Sequence, residues 1–255
     1  MRVSVVIPAL NEEATVAAVV EHALADSPCE VLVIDADSTD DTADVAAAAG
    51  ARVLNWREIL PGIEPVAGKG ESLWRGVAAA QGEIVVFLDA DLRATRPGMV
   101  TSLAAPFTGS GTHLVKADYT RTLHGRPTGG GRVTELTARP LIRALFPHLA
   151  DIRQPLGGEY AIRRSTALTL PFVHGYGVEA GLLVDVAAAH GTAAITQVDL
   201  GERYHRNRPL AELSPMAEVV AGTLLHRAGI AAGFIGQRPP LLSLRKETTC
   251  SPGSY

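Results

Sequence analysis

Cysteine is scarce in this sequence of 255 residues: Cys29 and Cys250 are the whole complement. Two thiols so far apart have neither the density of a disulfide scaffold nor the spacing of a zinc site, which excludes both. A reducing cytoplasm is the expected setting. Long apolar runs are missing too, so no membrane span is predicted. The first residues lack the charged, apolar and small-residue succession of a secretory leader. Basic charge is not in excess, since the formal net charge is -4, and the arginines of the second half are scattered. That excludes a nucleic-acid surface while leaving room for a local anion site. No internal repeat is visible beyond a β/α alternation.

What is present is a chain that is 47% hydrophobic, enough to bury a full core. Val3 to Ile7 is an apolar, β-branched run stopped by Pro8, and helical spacing of apolar residues follows through Leu24. Glu30 to Asp35 repeats the pattern, with Ser38-Thr39-Asp40-Asp41-Thr42 as cap chemistry before an Ala-rich helix ending at Gly50. Ala51 to Asn55 is a third strand, and Trp56 to Gly68, crowded with Pro and Gly, reads as a loop. Three successive β-then-α units predict a right-handed, mostly parallel sheet of nucleotide-binding type. Thr112 to Tyr119 and Ala194 to Leu200 read as later strands. Helices are expected over about 132–146, from Glu179 to Gly191 and from Ser214 to Ala228. The whole is expected to be a single domain over 1–235, with a first half to about 119, a second half over about 120–235, and a flexible tail over 236–255.

The most telling stretch is Glu83 to Asp91, where the buried-strand pattern of Ile84 to Leu88 ends in Asp89-Ala90-Asp91. Ligands of open α/β sheets lie at the carboxyl ends of the strands, so two carboxylates there suit a hard divalent cation and, through it, a diphosphate. The same pair also reads as a helix cap and a solvated loop residue. Lys69, between Gly68 and Gly70 at a helix start, is placed for an anion, or is an ordinary surface lysine. Arg121, His124, Arg126 and Arg132 surround the glycine-rich loop 128–131, which suits a phosphate or carboxylate and equally a linker. Glu159 and Glu179 sit beside glycines. Each reads as a sugar-binding or basic carboxylate, or else as a buried salt-bridge partner and a helix-start residue respectively. His205 is the histidine best suited to complete a metal site begun by Asp91, or else is a structural or exposed histidine, as a lone one more often is.

Taken in order, eight stretches resemble the glucosyl-3-phosphoglycerate synthase family of actinobacteria. They are Pro8 to Glu13, Asp35 with Ser38 to Thr42, Gly68 to Gly70, Asp89 to Asp91, Gly130 to Leu136, Gln154 to Tyr160, Gly175 to Glu179 and His205 to Pro209. These enzymes are retaining glycosyltransferases of the GT-A fold, with mannosyl-3-phosphoglycerate synthase a more distant relative. The resemblance implies an α/β GT-A fold: a Rossmann-like nucleotide-binding half with a mostly parallel central sheet, plus an acceptor-binding half. It implies a nucleoside diphosphate sugar donor held by Pro8, Ala9, Leu10, Glu12, Asp35, Lys69, Asp89, Ala90 and Asp91. It implies Mg²⁺ or Mn²⁺ on Asp91 and His205. A small phosphorylated or carboxylated acceptor would lie on Gly131, Arg132, Val133, Thr134, Tyr176 and Asn207, with Asp91, Tyr176 and Glu179 at the reacting centre. The expected activity is transfer of glucose, first from UDP-glucose, to 3-phosphoglycerate by a homodimer. A sister glycosyltransferase with a GDP- or ADP-sugar or a polyol-like acceptor is the alternative, and a nucleotidyltransferase or a sugar-nucleotide sensor ranks below it. Two departures stand out: Asp-Ala-Asp for the family's Asp-Ser-Asp, and Ala36-Asp37 for Ser-Gly.

Overall fold

A computed structural model describes residues 1–92, 95–109, 111–122, 131–204, 210–231 and 235–247. Apolar β-branched runs build the sheet: β1 (Val3–Ala9), β2 (Glu30–Asp35), β3 (Arg52–Asn55), β4 (Ile84–Phe87), β5 (Leu114–Thr122), β6 (Tyr160–Arg163) and, after the short β7 (Phe172–Val173), β8 (Ile195–Tyr204). The seven long-sheet strands lie in the order β3-β2-β1-β4-β6-β5-β8. Pairings on either side of β6 are antiparallel and the others parallel, so β6 alone runs against the rest. The expectation of a mostly parallel α/β sheet therefore holds.

Helices cover both faces, each through an apolar stripe. On one side α1 (Val16–Ala25), α2 (Thr42–Ala48) and α4 (Met99–Ala104) enclose a core of Val5, Ile7, Val33, Val86 and Leu103. On the other, α3 (Lys69–Ala79), α5 (Arg139–Leu145), α7 (Val178–His190) and α8 (Leu210–Arg227) close over Val6, Phe87, Tyr160, Leu73 and Leu183; α6 (Arg164–Ala167) is a single turn. The two cores alternate along each strand, as side chains on successive strand residues must. Among the described residues no helix is long and apolar enough to cross a membrane.

Three details depart from the expectations. Strand β1 does not stop before Pro8 but continues to Ala9, with Pro8 opposite Ile34. The amide of Leu88 donates to the carbonyl of Val6 and that of Ala36 to Ala9, so even-numbered residues of β1 face β4. Pro8 thus lacks its N–H where the ladder with β4 has already ended at Val6↔Phe87, and nothing is lost. In the helix expected over 132–146, Thr134–Ala138 winds as a π-helical segment before α5, a local widening that recurs at functional sites. The tail expected to be flexible from 236 is built into the fold as far as Glu247. Gln237–Arg238 (β9) pairs antiparallel with β7, and Leu241–Glu247 forms α9 with Leu241 buried. Its order comes from partners distant in sequence: the Trp74 indole donates to the Pro239 carbonyl at 3.0 Å, and Arg238 binds Glu71.

Candidate active site

The order β3-β2-β1-β4 leaves a crevice between the diverging connections of β1 and β4, the topological switch point at which open α/β sheets take ligands. Pro8 and Ala9 end β1 there, Asp35 ends β2, and Asp89 follows β4. Reversal of β6 brings its amino end to the same edge, carrying Gly158 and Glu159. The loops above β1 and β2 are stapled together. The Asn11 amide donates to Ser38 Oγ at 3.0 Å, the Thr39 amide to Asn11 Oδ1 at 2.8 Å, and the Glu12 amide to Thr42 Oγ1 at 2.7 Å. The cap-like run Ser38 to Thr42 therefore joins two loops as well as opening α2, whose first turn is met by Asp40 Oδ1 accepting from the Thr42 amide. Asp35 accepts from the Ser38 amide, Glu12 accepts from the Thr15 hydroxyl, and Leu10 is exposed.

A cage of buried and partly buried ions occupies the centre. Lys69 opens α3, and its Nζ lies 2.5 Å from Asp89 Oδ1 and 2.6 Å from Glu179 Oε1. Glycines allow the approach: a Cβ at Gly70 would overlap the Val173 carbonyl, and one at Gly68 that of His174. Glu179 is buried in the first turn of α7, where the helix dipole favours its charge. Arg203, on β8, lies 3.7 Å from Asp89 Oδ2, 2.5 Å from Glu159 Oε1 and 3.1 Å from the Tyr119 hydroxyl. Lys116, on β5, is 1% exposed. Its ammonium donates to the Gly157 carbonyl at 2.6 Å and sits 4.5 Å from the Tyr160 ring centroid.

Opposed charges decide the protonation of this cage. Burial disfavours the ammonium of Lys69, but Asp89 and Glu179 outweigh it and hold its pKa well above the ordinary lysine value. Burial likewise works against the carboxylate of Asp89, yet Lys69 and Arg203 keep it below the usual range. Glu159 goes the other way, raised chiefly by burial in spite of Arg203. Burial also pulls Lys116 down to about 8.

The structure brings Lys69, Asp89 and Glu179 together. Glu159 occupies the salt-bridge role that was one of its two readings. Ala90 is buried beneath the loop, and Asp91 is exposed beside it. The carboxylate of Asp91 has no hydrogen-bond or ion-pair partner among the described residues. As an uncommitted hard oxygen donor at the carboxyl end of β4, it suits Mg²⁺ or Mn²⁺. His205, its expected co-ligand, and Asn207 lie outside the described residues, as do His124, Arg126 and residues 128–130. Among the described residues no three His, Cys, Asp or Glu side chains converge as a complete metal cage. Gly131 has φ +70° and leads into the helix bearing Arg132, Val133 and the buried Thr134. Tyr176 is 42% exposed, just ahead of α7.

Three contributors escaped the sequence reading. Lys116 was hidden in the strand run Leu114-Val115-Lys116-Ala117, where its one signal was a lone charge among apolar neighbours. Arg203 lies in the polar stretch after the strand expected over Ala194 to Leu200, and Tyr119 closes the strand expected over Thr112 to Tyr119, so neither carries a local signal of its own.

The glycosyl transferase family 2 profile matches residues 4–175. Glucosyl-3-phosphoglycerate synthase of Mycolicibacterium paratuberculosis is 51% identical over 245 residues, which are 92% of this chain and 74% of that protein. Among solved structures, glucosyl-3-phosphoglycerate synthase from Mycobacterium tuberculosis in complex with Mn²⁺, UDP-glucose and phosphoglyceric acid superposes with a TM-score of 0.89. It shows 46% identity, over 96% of this chain and 91% of that one. The same enzyme in complex with Mn²⁺, UDP and glucosyl-3-phosphoglycerate gives a TM-score of 0.88 at 46% identity, over 96% and 92% of the two chains. With its GT-A-like α/β fold, this chain belongs to glycosyl transferase family 2 and, within it, to the glucosyl-3-phosphoglycerate synthases.

Proposed function

We propose that the chain transfers glucose from UDP-glucose to the hydroxyl of 3-phosphoglycerate, with retention at the anomeric carbon and dependence on Mg²⁺ or Mn²⁺. The observation that carries this reading is the Lys69 ammonium, held between Asp89 and Glu179 at the switch point. Support comes also from the relatives that bind UDP-glucose, Mn²⁺ and phosphoglyceric acid. The geometry at Ala36-Asp37 is compatible with an undisturbed base-binding edge. Asp37 keeps a φ of +63°, the left-handed conformation a glycine adopts easily, and its carboxylate is turned to Arg57 and Asn55. Uridine therefore remains the first choice of base.

In this mechanism Pro8, Ala9, Leu10, Glu12 and Asp35 hold the nucleoside. Lys69 lies against the departing diphosphate as a fixed cation, which costs no reorganisation when charge develops. Asp91, with His205, would hold the metal ion, which when bound neutralises the leaving diphosphate. Gly131, Arg132, Val133, Thr134 and Asn207 orient the acceptor through its phosphate and carboxylate. Tyr176 and Glu179 face the sugar. Glu179 is committed to an ammonium 2.6 Å away, which makes it a weak nucleophile and a good positioning charge. A front-face displacement follows: the acceptor oxygen bonds the anomeric carbon on the side from which UDP leaves. The glycosidic C–O bond to the β-phosphate breaks, and a β-phosphate oxygen takes the acceptor proton.

Thermal shifts with UDP-, GDP- and ADP-hexoses, with and without Mn²⁺, test the donor, and UDP release on adding 3-phosphoglycerate tests the acceptor. The expected result is a metal-dependent shift with UDP-glucose and UDP release with 3-phosphoglycerate. No shift with any donor would sink the proposal.

A further inference from the structure

The C-terminal segment Gly236–Leu241 ends far from the crevice in sequence but is tied to the two elements that carry Lys69 and Glu179. The amide of His174 donates to the Gly236 carbonyl at 3.1 Å, and the amide of Gly70 donates to the His174 carbonyl at 2.7 Å. One continuous relay thus runs from β9 through β7 to the first turn of α3. Strand β7 is also the approach to α7, whose first turn holds Glu179.

Side chains reinforce the relay. Glu71, two residues beyond Lys69, is fully buried with Arg75, whose Nε lies 2.7 Å from Glu71 Oε1. Arg75 Nη1 donates to the Trp56 carbonyl at 2.9 Å, and the same guanidinium reaches the carbonyls of Ile59 and Ile63. Arg238 meets Glu71 from the other side, at 2.6 Å to Oε2 and 2.9 Å to Oε1, and also takes the Glu64 carbonyl. Its guanidinium lies 5.3 Å from the Trp74 ring centroid, while the indole of Trp74 donates to Pro239. Two guanidiniums on one buried carboxylate therefore grip the loop 56–68 through the carbonyls of Trp56, Ile59, Ile63 and Glu64.

We propose that Gly236–Leu241 is a strap that positions the donor site, with Arg238 as its positioning residue: through Glu71, β7 and the Gly70 amide it sets where Lys69 stands relative to Asp89 and Glu179. This rests on the reading of Lys69 as the cation that meets the donor diphosphate. Loss of Arg238 leaves Glu71 paired with Arg75, so the fold keeps its buried ion pair while the outer grip on Glu64 and α3 is released.

The test uses the full chain and the variants Arg238→Gln and Arg238→Lys. KM values for UDP-glucose and 3-phosphoglycerate are measured beside hydrogen exchange at the Gly70 and His174 amides. Arg238→Gln is expected to raise donor KM about tenfold, with acceptor KM within about twofold, and to speed exchange at Gly70. Arg238→Lys keeps the charge but not the fork, and is expected to fall between wild type and Gln. Unchanged donor KM in Arg238→Gln, or equal shifts of both KM values without faster Gly70 exchange, would overturn the strap. Should Arg238→Gln not fold by circular dichroism, Arg238→Lys is judged on the same criteria. If the wild type itself transfers no sugar, the proposed function fails, and Gly70 exchange alone decides the strap.

Discussion

Replacing Lys116 by Met puts a number on the charge buried beneath the crevice. The side chain is 1% exposed, and burial brings its pKa from 10.5 to about 8, with Glu179 resisting and Lys69 adding to the fall. Between those two values the unfolded chain binds the proton that the folded chain has released, so stability rises with pH across that window. At about 1.4 kcal/mol per pH unit, the difference amounts to roughly 3 kcal/mol. Below pH 8 the folded protein bears this cost in full. Methionine keeps most of the stem volume and removes the charge. It also removes the bond to Gly157, worth about 1.5–3 kcal/mol for a charged donor. At pH 7 the two effects nearly cancel, so a single melt is uninformative. The informative measurement is urea unfolding of both proteins from pH 7 to pH 10.5. Wild type should gain on Lys116→Met by about 3 kcal/mol across that range. A difference flat to within about 0.5 kcal/mol would show that Lys116 titrates in the folded protein as it does in the unfolded chain, so that burial does not depress its pKa, and the cage as described would be wrong.

Asp91→Asn, at an exposed carboxylate without a partner among the described residues, should alter stability by no more than about 0.5 kcal/mol. It should remove metal-dependent UDP release, as a chelator should from the wild type until Mn²⁺ is restored. In Gly158→Ala the new Cβ would overlap the Asp89 carboxylate, so kcat is expected to fall about 10²-fold through displacement of Asp89 from Lys69. Steady-state kinetics on a variant with a native circular dichroism spectrum would check this. Glu71→Ala strips a fully buried Arg75 of its carboxylate and should cost about 3–5 kcal/mol in urea melts. Glu179→Gln should slow turnover by about one to two orders of magnitude. Complete loss that is restored by azide would instead reveal a nucleophile at Glu179.

The crevice was legible where local chemistry and position agreed. An apolar run that breaks off at Asp89-Ala90-Asp91 read as a buried strand meeting a ligand edge, or as a strand ending in a cap and a loop residue, and the strand itself is β4. Gly68 and Gly70 read only as the flanks of Lys69 at a helix start, and the structure packs them against the carbonyls of His174 and Val173. Lys116 was illegible because a charge inside a strand contradicts the hydrophobic pattern, and its compensation comes from Gly157 and Tyr160, some forty residues on. Residues 237–247 were misread for the related reason that their order is tertiary. The prolines that suggested a loose end instead present the Pro239 carbonyl to Trp74. Pro8 misled in the opposite sense, since a missing donor matters only where a neighbouring strand awaits it.

The reversed strand β6 has a consequence for how this site can change over evolution. Phe87 and Lys116 both stand opposite Tyr160, so neighbours on two sides pin its alignment, and Glu159 and Tyr160 point to opposite faces. Loss of the one residue between Gly158 and Tyr160 would delete Glu159 itself, and gain of one there, with Tyr160 held in place, would turn Glu159 away from Arg203. Sugar preference in descendants of this chain is therefore free to drift by replacing side chains around the crevice, whereas length changes at that one junction are closed to it.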